Sequence, residues 1–487
     1  MRKFVKKNLL NLIDTVSDIH ITISDCVHNH ANTEALNLLA DCQEFAESIY
    51  ATISSLESND CPVLEYISDY YQVVFNVYNN IQSDNSFSTE ILVSSLDSIK
   101  KSLINDVDVK FEIVFLPYKA AMWDSFDSIY DAAIADPRCD VKVIPIPYYD
   151  RNPDKSFGEF HYEGDLYPEH IAITNYEEYD LDENRPDVIY IHNPYDNANT
   201  VTSVDPRFYS KELKKYTDML VYVPYHISGS FSGYDSVINN IPMAFLYVDK
   251  IVVQSESMKK YYMYGGIPES KFIESGSPKI DYVINKLPLA NIPSVWTETI
   301  NNRKVILINS TIGRVLSDIN WLNNMEELLD TINNNKNICF IWRPHPLLKE
   351  TIFSQRPEFI EGYNKLIKEM NECENVIIDF SPSAYPAMKI SDGMITDYSS
   401  LAFQYLFTKK PVFIVGELYP KPENTILVIN YYSSYFDTNM SYNEFLSLIK
   451  HDYDIQKEKR LQDTLVSVYS HDINYGAIIH ESTVVIF

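Results

Sequence analysis

IWRPHP (341–346) and ITDYSS (395–400) are the two stretches that decide the fold of this chain. Each joins a short apolar run, typical of a buried strand, to polar groups at the point where the strand gives way to a helix. In an open parallel α/β sheet, ligands bind at the carboxyl ends of the strands. Two such strand ends, about 50 residues apart, therefore predict a binding site for a nucleotide diphosphate.

The first stretch places Arg343 and His345 directly after a strand, and a proline follows each of them. Prolines restrict the backbone to extended geometry, which fixes where the two side chains point. A guanidinium group offers a planar fork to phosphate oxygens, and an imidazole offers either a donor or a cation. We predict that both residues bind phosphate; the alternative is a surface arginine beside a structural histidine.

The second stretch places Asp397 at a strand end and Ser399 and Ser400 before an apolar helical pattern. Serines at this position cap helices, and the free amides of the first helical turn bind anions. Ser310 and Thr311 follow another apolar run and are a third candidate of the same kind. A plain helix cap is the simpler interpretation of each, and it is compatible with phosphate binding.

Two blocks of alternating strands and helices contain these motifs. The first begins at Phe111, and the second begins at Lys304 with five strand candidates in about 110 residues. Such alternation predicts parallel, doubly wound sheets of the α/β class. Within the first block, the acidic loop 150–184 has a length typical of a lid or a disordered segment. The strand candidates of the first block are 111–118, 141–149, 187–194, 220–226 and 250–257.

One strand candidate of the first block ends in His226. A histidine at the carboxyl end of a sheet that faces a second domain stands where a general base for an acceptor hydroxyl is expected. A lone histidine at a strand end is more often structural. His226 is therefore a functional candidate only in combination with the second block.

The remaining segments complete the predicted domain organisation. Apolar residues recur at helical spacing before the first strand, which predicts an accessory helical module. Segment 287–302 contains two prolines and no core pattern, and we interpret it as a linker. The predicted segments are a helical module at 1–106, a Rossmann-like acceptor domain at 107–286, a Rossmann-like nucleotide-donor domain at 300–440 and closing helices at 441–487.

Composition excludes several classes of partner. A formal net charge of −28 argues against binding to nucleic acid and against electrostatic docking on anionic lipid. No run approaches the ~20 apolar residues that span a bilayer, so we expect a cytoplasmic protein and leave peripheral contact with the inner membrane face open. The six cysteines are scattered, which predicts free thiols. We expect no metal and no cofactor, because HNH (28–30) and DLD (180–182) are typical of solvated loops.

RPHP (343–346), TDYSS (396–400) and the Lys-Pro pair at 410–411 together resemble the CDP-glycerol glycerophosphotransferase family. Those enzymes build teichoic-acid-type polyol phosphates on a two-domain GT-B fold. Segment 254–281 also resembles the part of that family that lies between its two sheets. The resemblance covers roughly residues 110–470 and leaves the helical module outside.

The resemblance implies roles for the candidate residues. His226 would occupy the position of the catalytic histidine in the first domain. The family commonly shows Trp-His-Gly-Thr there, whereas segment 225–228 of this chain is Tyr-His-Ile-Ser. The family's glycine, which lets the backbone approach the substrate, is thus absent. The diphosphate of a CDP-activated donor would be held by Arg343, His345, Asp397, Ser399 and Ser400.

We therefore predict a GT-B transferase. His226 would deprotonate an acceptor hydroxyl that attacks the β-phosphate of a CDP-linked polyol, and Arg343 and His345 would stabilise the departing CMP in place of a metal. The expected partners are this donor and a glycan or polyol-phosphate acceptor, and the sequence does not predict the oligomeric state. The alternatives are a nucleotide-sugar glycosyltransferase, an epimerase of the UDP-N-acetylglucosamine type, and a non-catalytic binding or assembly protein.

Overall fold

The computed structural model describes residues 1–83, 88–152, 154–199, 201–234, 237–381, 383–415, 425–427, 440–452 and 474–484. The chain forms two compact units. One unit comprises Met1–Ile113, Asp136–Val141 and Leu181–Val188, and the other comprises Val114–Ala135, Lys142–Asp180 and Ile189–Phe487. Part of the predicted closing segment (453–473 and 485–487) lies outside the described residues.

The N-terminal segment is helical, as predicted. Its apolar residues recur every three to four positions, so each helix buries one stripe in a shared core that includes Ile13, Leu39, Ile67 and Leu96. Pro62 opens the third helix, where its missing N–H costs nothing. The helices are α1 (Lys3–His28), α2 (Asn32–Leu56), α3 (Pro62–Gln82) and α4 (Glu90–Asn105).

The first sheet has six strands in the order β10-β9-β7-β5-β1-β2, and β9 lies parallel to both β7 and β10. Near-continuous apolar runs such as Val188–Ile191 form its buried strands. The strands are β1 (Phe111–Leu116), β2 (Cys139–Val143), β5 (Val188–Ile191), β7 (Met219–Tyr222), β9 (Lys250–Val253) and β10 (Phe272–Glu274).

One strand prediction and the expected loop differ from the structure. Segment 141–149 was predicted as one strand, but two separate strands share it because prolines interrupt the run at Pro145 and Pro147. The second of these strands and the start of the acidic loop form an antiparallel sheet with the order β4-β3-β6. These strands are β3 (Tyr148–Arg151), β4 (Phe157–His161) and β6 (Thr202–Val204).

The second sheet has five parallel strands in the order β13-β12-β11-β14-β15. Strand β11 is first in the chain and central in the sheet, so the strand order reverses beside it. Ligands of open α/β sheets bind at such a reversal, outside the carboxyl ends of the strands. The strands are β11 (Lys304–Ser310), β12 (Ile338–Pro344), β13 (Val376–Ile378), β14 (Gly393–Thr396) and β15 (Val412–Ile414).

Helices connect these strands, and two short strands form a separate antiparallel pair, β8 (Ser230–Ser232) with β16 (Thr425–Leu427). The predicted α/β class with two sheets and an all-helical N-terminal module is thus confirmed.

Within the described residues, no helix is long and apolar enough to cross a bilayer. The remaining helices are α5 (Asp127–Ala135), α6 (Leu181–Asn184), α7 (Ser210–Leu213), α8 (Val237–Asn240), α9 (Glu256–Tyr264), α10 (Pro278–Asn285), α11 (Thr297–Ile300), α12 (Ile312–Ser317), α13 (Trp321–Asn333), α14 (Leu348–Gln355), α15 (Ile360–Glu372), α16 (Tyr385–Ile390), α17 (Ser400–Leu406), α18 (Tyr442–Lys450) and α19 (Tyr475–Val484).

Helix α19 returns to pack against α5 and α10. The carboxylate of Asp281 on α10 accepts hydrogen bonds from the backbone N–H groups of Tyr475 and Gly476, at 3.1 and 2.8 Å. Asp281 thereby satisfies two of the free N–H groups in the first turn of α19. The segment that resembles the glycerophosphotransferases therefore holds the final helix in place.

Candidate functional site

The structure brings the three predicted strand ends of the second block together. In the register of the parallel sheet, Ser310 of β11 lies beside Pro344 of β12, and Asn309 of β11 lies beside Thr396 of β14. The Asn309 side chain donates to Thr396 Oγ1 at 2.9 Å. The motifs at Ser310, at Arg343 to His345 and at Asp397 to Ser400 therefore share one edge, at the point where the strand order reverses.

Asp397 is buried at the centre of this edge. One carboxylate oxygen, Oδ2, accepts hydrogen bonds from the backbone N–H of Thr311 at 3.0 Å and from its hydroxyl at 2.9 Å. Among the described residues, the other oxygen, Oδ1, has no hydrogen-bond partner. Burial raises the pKa of Asp397 to about 6, and the bonds from Thr311 oppose that rise. A buried carboxylate oxygen without a partner is suited to accept a hydrogen bond from a ligand.

Ser399 caps helix α17, as the sequence predicts. Its hydroxyl accepts a hydrogen bond from the backbone N–H of Ala402 at 3.1 Å and another from the Asn309 side chain at 3.2 Å. Ser400 is the first residue of the helix and is exposed. The structure thus confirms the helix cap at Ser399, and phosphate binding by this turn stays a prediction.

Arg343 is buried and already has protein partners. Its guanidinium donates to Asp379 Oδ2 at 2.6 Å, to the Ser381 hydroxyl at 3.3 Å and to the Ser381 carbonyl at 2.7 Å. Asp379 follows β13, the neighbour of β12, and we did not anticipate this partner. The sequence does contain a signal for this partner. Asp379 is an acidic residue that directly follows the apolar run of β13, at the carboxyl end of another strand of the same sheet.

Ser310 and His345 are linked through the backbone. The Ser310 carbonyl accepts from the His345 N–H at 3.0 Å, and the Ser310 hydroxyl accepts from the Trp342 indole at 3.1 Å. His345 Nδ1 accepts from the Leu347 N–H at 3.1 Å, so the neutral ring carries its proton on Nε2. Loss of hydration and the charge of Lys119 both lower the pKa of His345. The exposed ring is therefore a neutral hydrogen-bond donor at pH 7.

His226 lies at the carboxyl edge of the first sheet, just after β7. Its ring is partly exposed, but Nδ1 is buried and has no hydrogen-bond partner within the part of the chain that the structure describes. Burial, and secondarily the charge of Lys279, lower the pKa of His226 to about 4. The ring is therefore neutral at pH 7 and has a free acceptor or donor position.

The loop that carries His226 lies against the second sheet. Ile227 is buried in the core formed by α17 and strands of that sheet. The hydroxyls of Ser230 and Tyr398 are 2.6 Å apart. A Cβ atom on Gly229 would lie 2.1 Å from the Phe403 ring, so only glycine allows this approach. Gly229 thus serves packing against Phe403, and the position directly after His226, where the family has its glycine, is Ile227.

A buried charge cluster between the sheets was not anticipated. Lys279 Nζ contacts both oxygens of Asp124 at 2.5 and 2.6 Å, and the Tyr385 hydroxyl donates to Asp124 at 2.5 Å. Asp124 follows β1, and Tyr385 begins α16 in the second block. Their hydrogen bond joins the first block to the second. Sequence separations of 155 and 261 residues leave no local signal for it.

A second histidine of the first sheet, His192, is satisfied by the protein. Its Nε2 accepts the Tyr118 N–H at 3.2 Å, its Nδ1 lies 3.3 Å from the Ser125 hydroxyl, and its ring stacks on Phe126 at 4.8 Å. Burial lowers the pKa of His192 to about 3. His192 is therefore a structural histidine, whereas His226 Nδ1 has no hydrogen-bond partner among the described residues.

Two acidic stretches of the first block were considered as metal sites: the string 180–182 and the β3–β4 hairpin. Asp182, in the predicted solvated string, forms an ion pair with Arg185. Asp150, Glu159 and His161 place potential ligand atoms within 4.8 Å of one another on the β3–β4 hairpin. His161 Nε2 already makes a hydrogen bond of 3.0 Å with Asp150 Oδ2, which accounts for the approach of these two side chains without a metal.

Residues 244–462 match the model of the family described as CDP-Glycerol:Poly(glycerophosphate) glycerophosphotransferase. The resemblance seen in the sequence is therefore confirmed over that segment, which contains every candidate residue of the second sheet. The teichoic acid poly(ribitol-phosphate) polymerase of Bacillus spizizenii is 25% identical over 199 residues, which are 39% of this chain and 29% of that relative. The match thus spans less than a third of the relative's length.

Solved structures with similar architecture include the S. aureus MnaA–UDP co-structure and the wall teichoic acid polymerase TagF. The first is 12% identical with a TM-score of 0.48, covering 77% of this chain and 97% of that one. The second is 15% identical with a TM-score of 0.44, covering 85% and 98% respectively. At these values the similarities carry no conclusion about ligands or chemistry.

Proposed function

We propose that this protein transfers a polyol phosphate, such as glycerol phosphate, from a CDP-linked donor to an acceptor hydroxyl in the synthesis of a cell-surface polymer or glycan. The observation that carries the proposal is the convergence of three polar strand ends at the reversal point of the second sheet, inside the segment that matches the glycerophosphotransferases. The acceptor is proposed to be a glycan or a polyol phosphate.

The second sheet is proposed to bind the donor diphosphate. His345 Nε2–H and the first-turn amides at Ser399 and Ser400 are the available donors, and the turn at Thr311 supplies another. Asp397 Oδ1 can accept a hydrogen bond from the donor. Arg343 is proposed to act mainly by fixing the His345 loop, because Asp379 already occupies its guanidinium.

His226 is proposed to act as the general base. A diphosphate bound nearby raises the pKa of His226 from its low value, because negative charge favours the imidazolium. The acceptor hydroxyl gives its proton to the ring, and its oxygen bonds to the β-phosphorus. The bond between that phosphorus and the bridging oxygen breaks, and CMP leaves with the bond's electron pair. Hydrogen bonds from His345 and the helix amides offset the charge on CMP.

The proposal is tested by incubating the full chain with CDP-glycerol, CDP-ribitol, UDP-N-acetylglucosamine or UDP-glucose, each with and without a polyol-phosphate or glycan acceptor. We expect acceptor-dependent release of CMP from a CDP-linked polyol. Turnover of a UDP-sugar alone, without CMP release from any CDP compound, would contradict the proposal and favour a glycosyltransferase or an epimerase. Tight nucleotide binding without turnover of any compound would favour a non-catalytic protein.

A further inference from the structure

The helical module has an open groove on its outer surface between α2 and α3. These two helices pack against each other, and α1 and α4 each pack against one of them. The groove has a volume of about 350 Å³, which is many times the space that one water molecule needs. Side chains of a partner can therefore enter it. The lining residues are Ala46, Glu47, Tyr50, Ile67, Ser68, Tyr71 and Gln72.

Aromatic side chains of this groove remain accessible to solvent. Tyr50 is 41% exposed and Phe75 is 47% exposed, whereas Ala46 and Ile67 are buried in the core of the module. Tyr71 lines the groove, and Phe75 lies one turn further along the same face of α3. Single exposed apolar residues are common on protein surfaces, but several aromatic side chains at one groove are typical of a protein interface.

The charge around the groove has one sign. Residues 32–82, which comprise both helices and their connection, contain eight aspartates and glutamates and no lysine, arginine or histidine. Glu47 lines the groove, and Glu65 lies three residues before Ser68 on the same face of α3. Both carboxylates are exposed, and among the described residues neither forms an ion pair. This charge disfavours nucleic acid and anionic lipid, and it favours a partner that brings its own cations.

We propose that the α2–α3 groove binds a basic amphipathic helix of a protein partner. A helix suits a groove along two packed helices, because its side chains at i, i+3, i+4 and i+7 enter from one face. Its apolar face would contact Tyr50, Tyr71 and Phe75, and lysines or arginines beside that face would meet Glu47 and Glu65. The module lies outside the segment that matches the glycerophosphotransferases, so this proposal does not depend on the proposed transfer reaction.

Fluorescence anisotropy with labelled peptides and the full-length protein tests the proposal. The first probe is a helical peptide of about 15 leucines and lysines, with the leucines on one face. The second has the same composition in an order that gives no apolar face, and the third is a basic proline-rich peptide. We expect the first peptide to bind at least about tenfold more tightly than the other two. Added salt should weaken its binding, because ionic contacts contribute.

Variants of the groove locate the binding site. Phe75→Ala and Tyr50→Ala should each weaken binding of the amphipathic peptide about tenfold, as expected for aromatic anchors of an interface. Ile91→Ala is the matched control and should leave the affinity unchanged, because Ile91 on α4 is 49% exposed and does not line the groove. Glu47→Gln should weaken binding about two- to fivefold at low salt, and Asp97→Asn, at an exposed carboxylate of α4, should have a smaller effect.

Several results would overturn the proposal. Equal affinity for the first two peptides would indicate attraction by charge alone, and tighter binding of the proline-rich peptide would show that the groove prefers an extended ligand. Equal losses in Phe75→Ala and Ile91→Ala, or no binding of any peptide, would contradict it as well. Far-UV circular dichroism checks the helical content of each variant. Should the alanine variants not fold, Glu47→Gln and Asp97→Asn decide the question, and equal effects of these two would refute the groove as the binding site.

Discussion

The pairing of Arg343 with Asp379 leads to a prediction in which the effect of a substitution on the free energy of unfolding can be separated from its effect on ligand binding. Both side chains are buried, and three hydrogen bonds of 2.6 to 3.3 Å join the guanidinium to Asp379 and Ser381. Asp379→Ala leaves a buried guanidinium without its carboxylate. Breaking a buried pair by removing one partner costs about 3–5 kcal/mol of unfolding free energy.

Arg343→Ala should have a cost similar to that of Asp379→Ala, because in each variant the remaining charged side chain keeps hydrogen bonds to Ser381. The carboxylate keeps the Ser381 N–H at 2.9 Å, and the guanidinium keeps the Ser381 hydroxyl and carbonyl at 3.3 and 2.7 Å. The double variant should have a free energy of unfolding only slightly below that of Asp379→Ala alone. The effects of the two single substitutions are then not additive, and the difference is a coupling energy of about 2 kcal/mol between two contacting residues. We expect Arg343→Ala to weaken CDP binding only through the altered His345 loop.

Urea unfolding followed by tryptophan fluorescence measures these differences, because Trp342 is adjacent to Arg343 and fully buried. Glu358→Ala is the matched control: its carboxylate pairs with Arg356 at 2.6 Å but is 56% exposed, so its loss should cost less than about 1 kcal/mol. The reasoning fails if Asp379→Ala is as mild as Glu358→Ala. It also fails if Arg343→Ala unfolds like the parent yet loses CDP binding, since Arg343 would then serve the ligand directly.

Three further predictions follow from the site and the core. His226→Ala should reduce turnover about 10²–10⁴-fold with little change in nucleotide affinity, whereas near-parent activity in a steady-state CMP-release assay would make His226 structural. Gly229→Ala should destabilise the chain by about 1–3 kcal/mol in urea unfolding, because its Cβ would meet the Phe403 ring at 2.1 Å, and an unchanged midpoint would refute that close approach. Burial lowers the pKa of His20 to about 4, below its usual 6.5. Between these two pH values the histidine is protonated in the unfolded chain and neutral in the folded one, so the free energy of unfolding should fall as the pH drops from about 6.5 to 4. His20→Gln should lessen that fall and the exposed His28→Gln should not; equal pH profiles for both would contradict the assignment.

The local pattern of the sequence determined the strands and helices, and it determined which strand ends carry the polar candidate residues. Apolar runs of four to seven residues predicted β11, β12 and β14, and a serine before an apolar helix predicted the cap at Ser399. These features depend on neighbours within a few residues, so periodicity and capping chemistry are enough to find them. The same pattern predicted a strand that ends in His226, whereas β7 ends at Tyr222 and His226 lies in the loop that follows it.

Strand order and long-range packing decided which protein partners those residues have. Arg343 stays a predicted phosphate ligand, and its pairing with Asp379 is set by the pairing of β12 with β13, which no local pattern specifies. The contact of Gly229 with Phe403 and the cluster of Lys279, Asp124 and Tyr385 likewise join residues more than 150 positions apart. Side-chain partners across a fold follow from which strands become neighbours, and the free energy that selects those neighbours is distributed over the whole core.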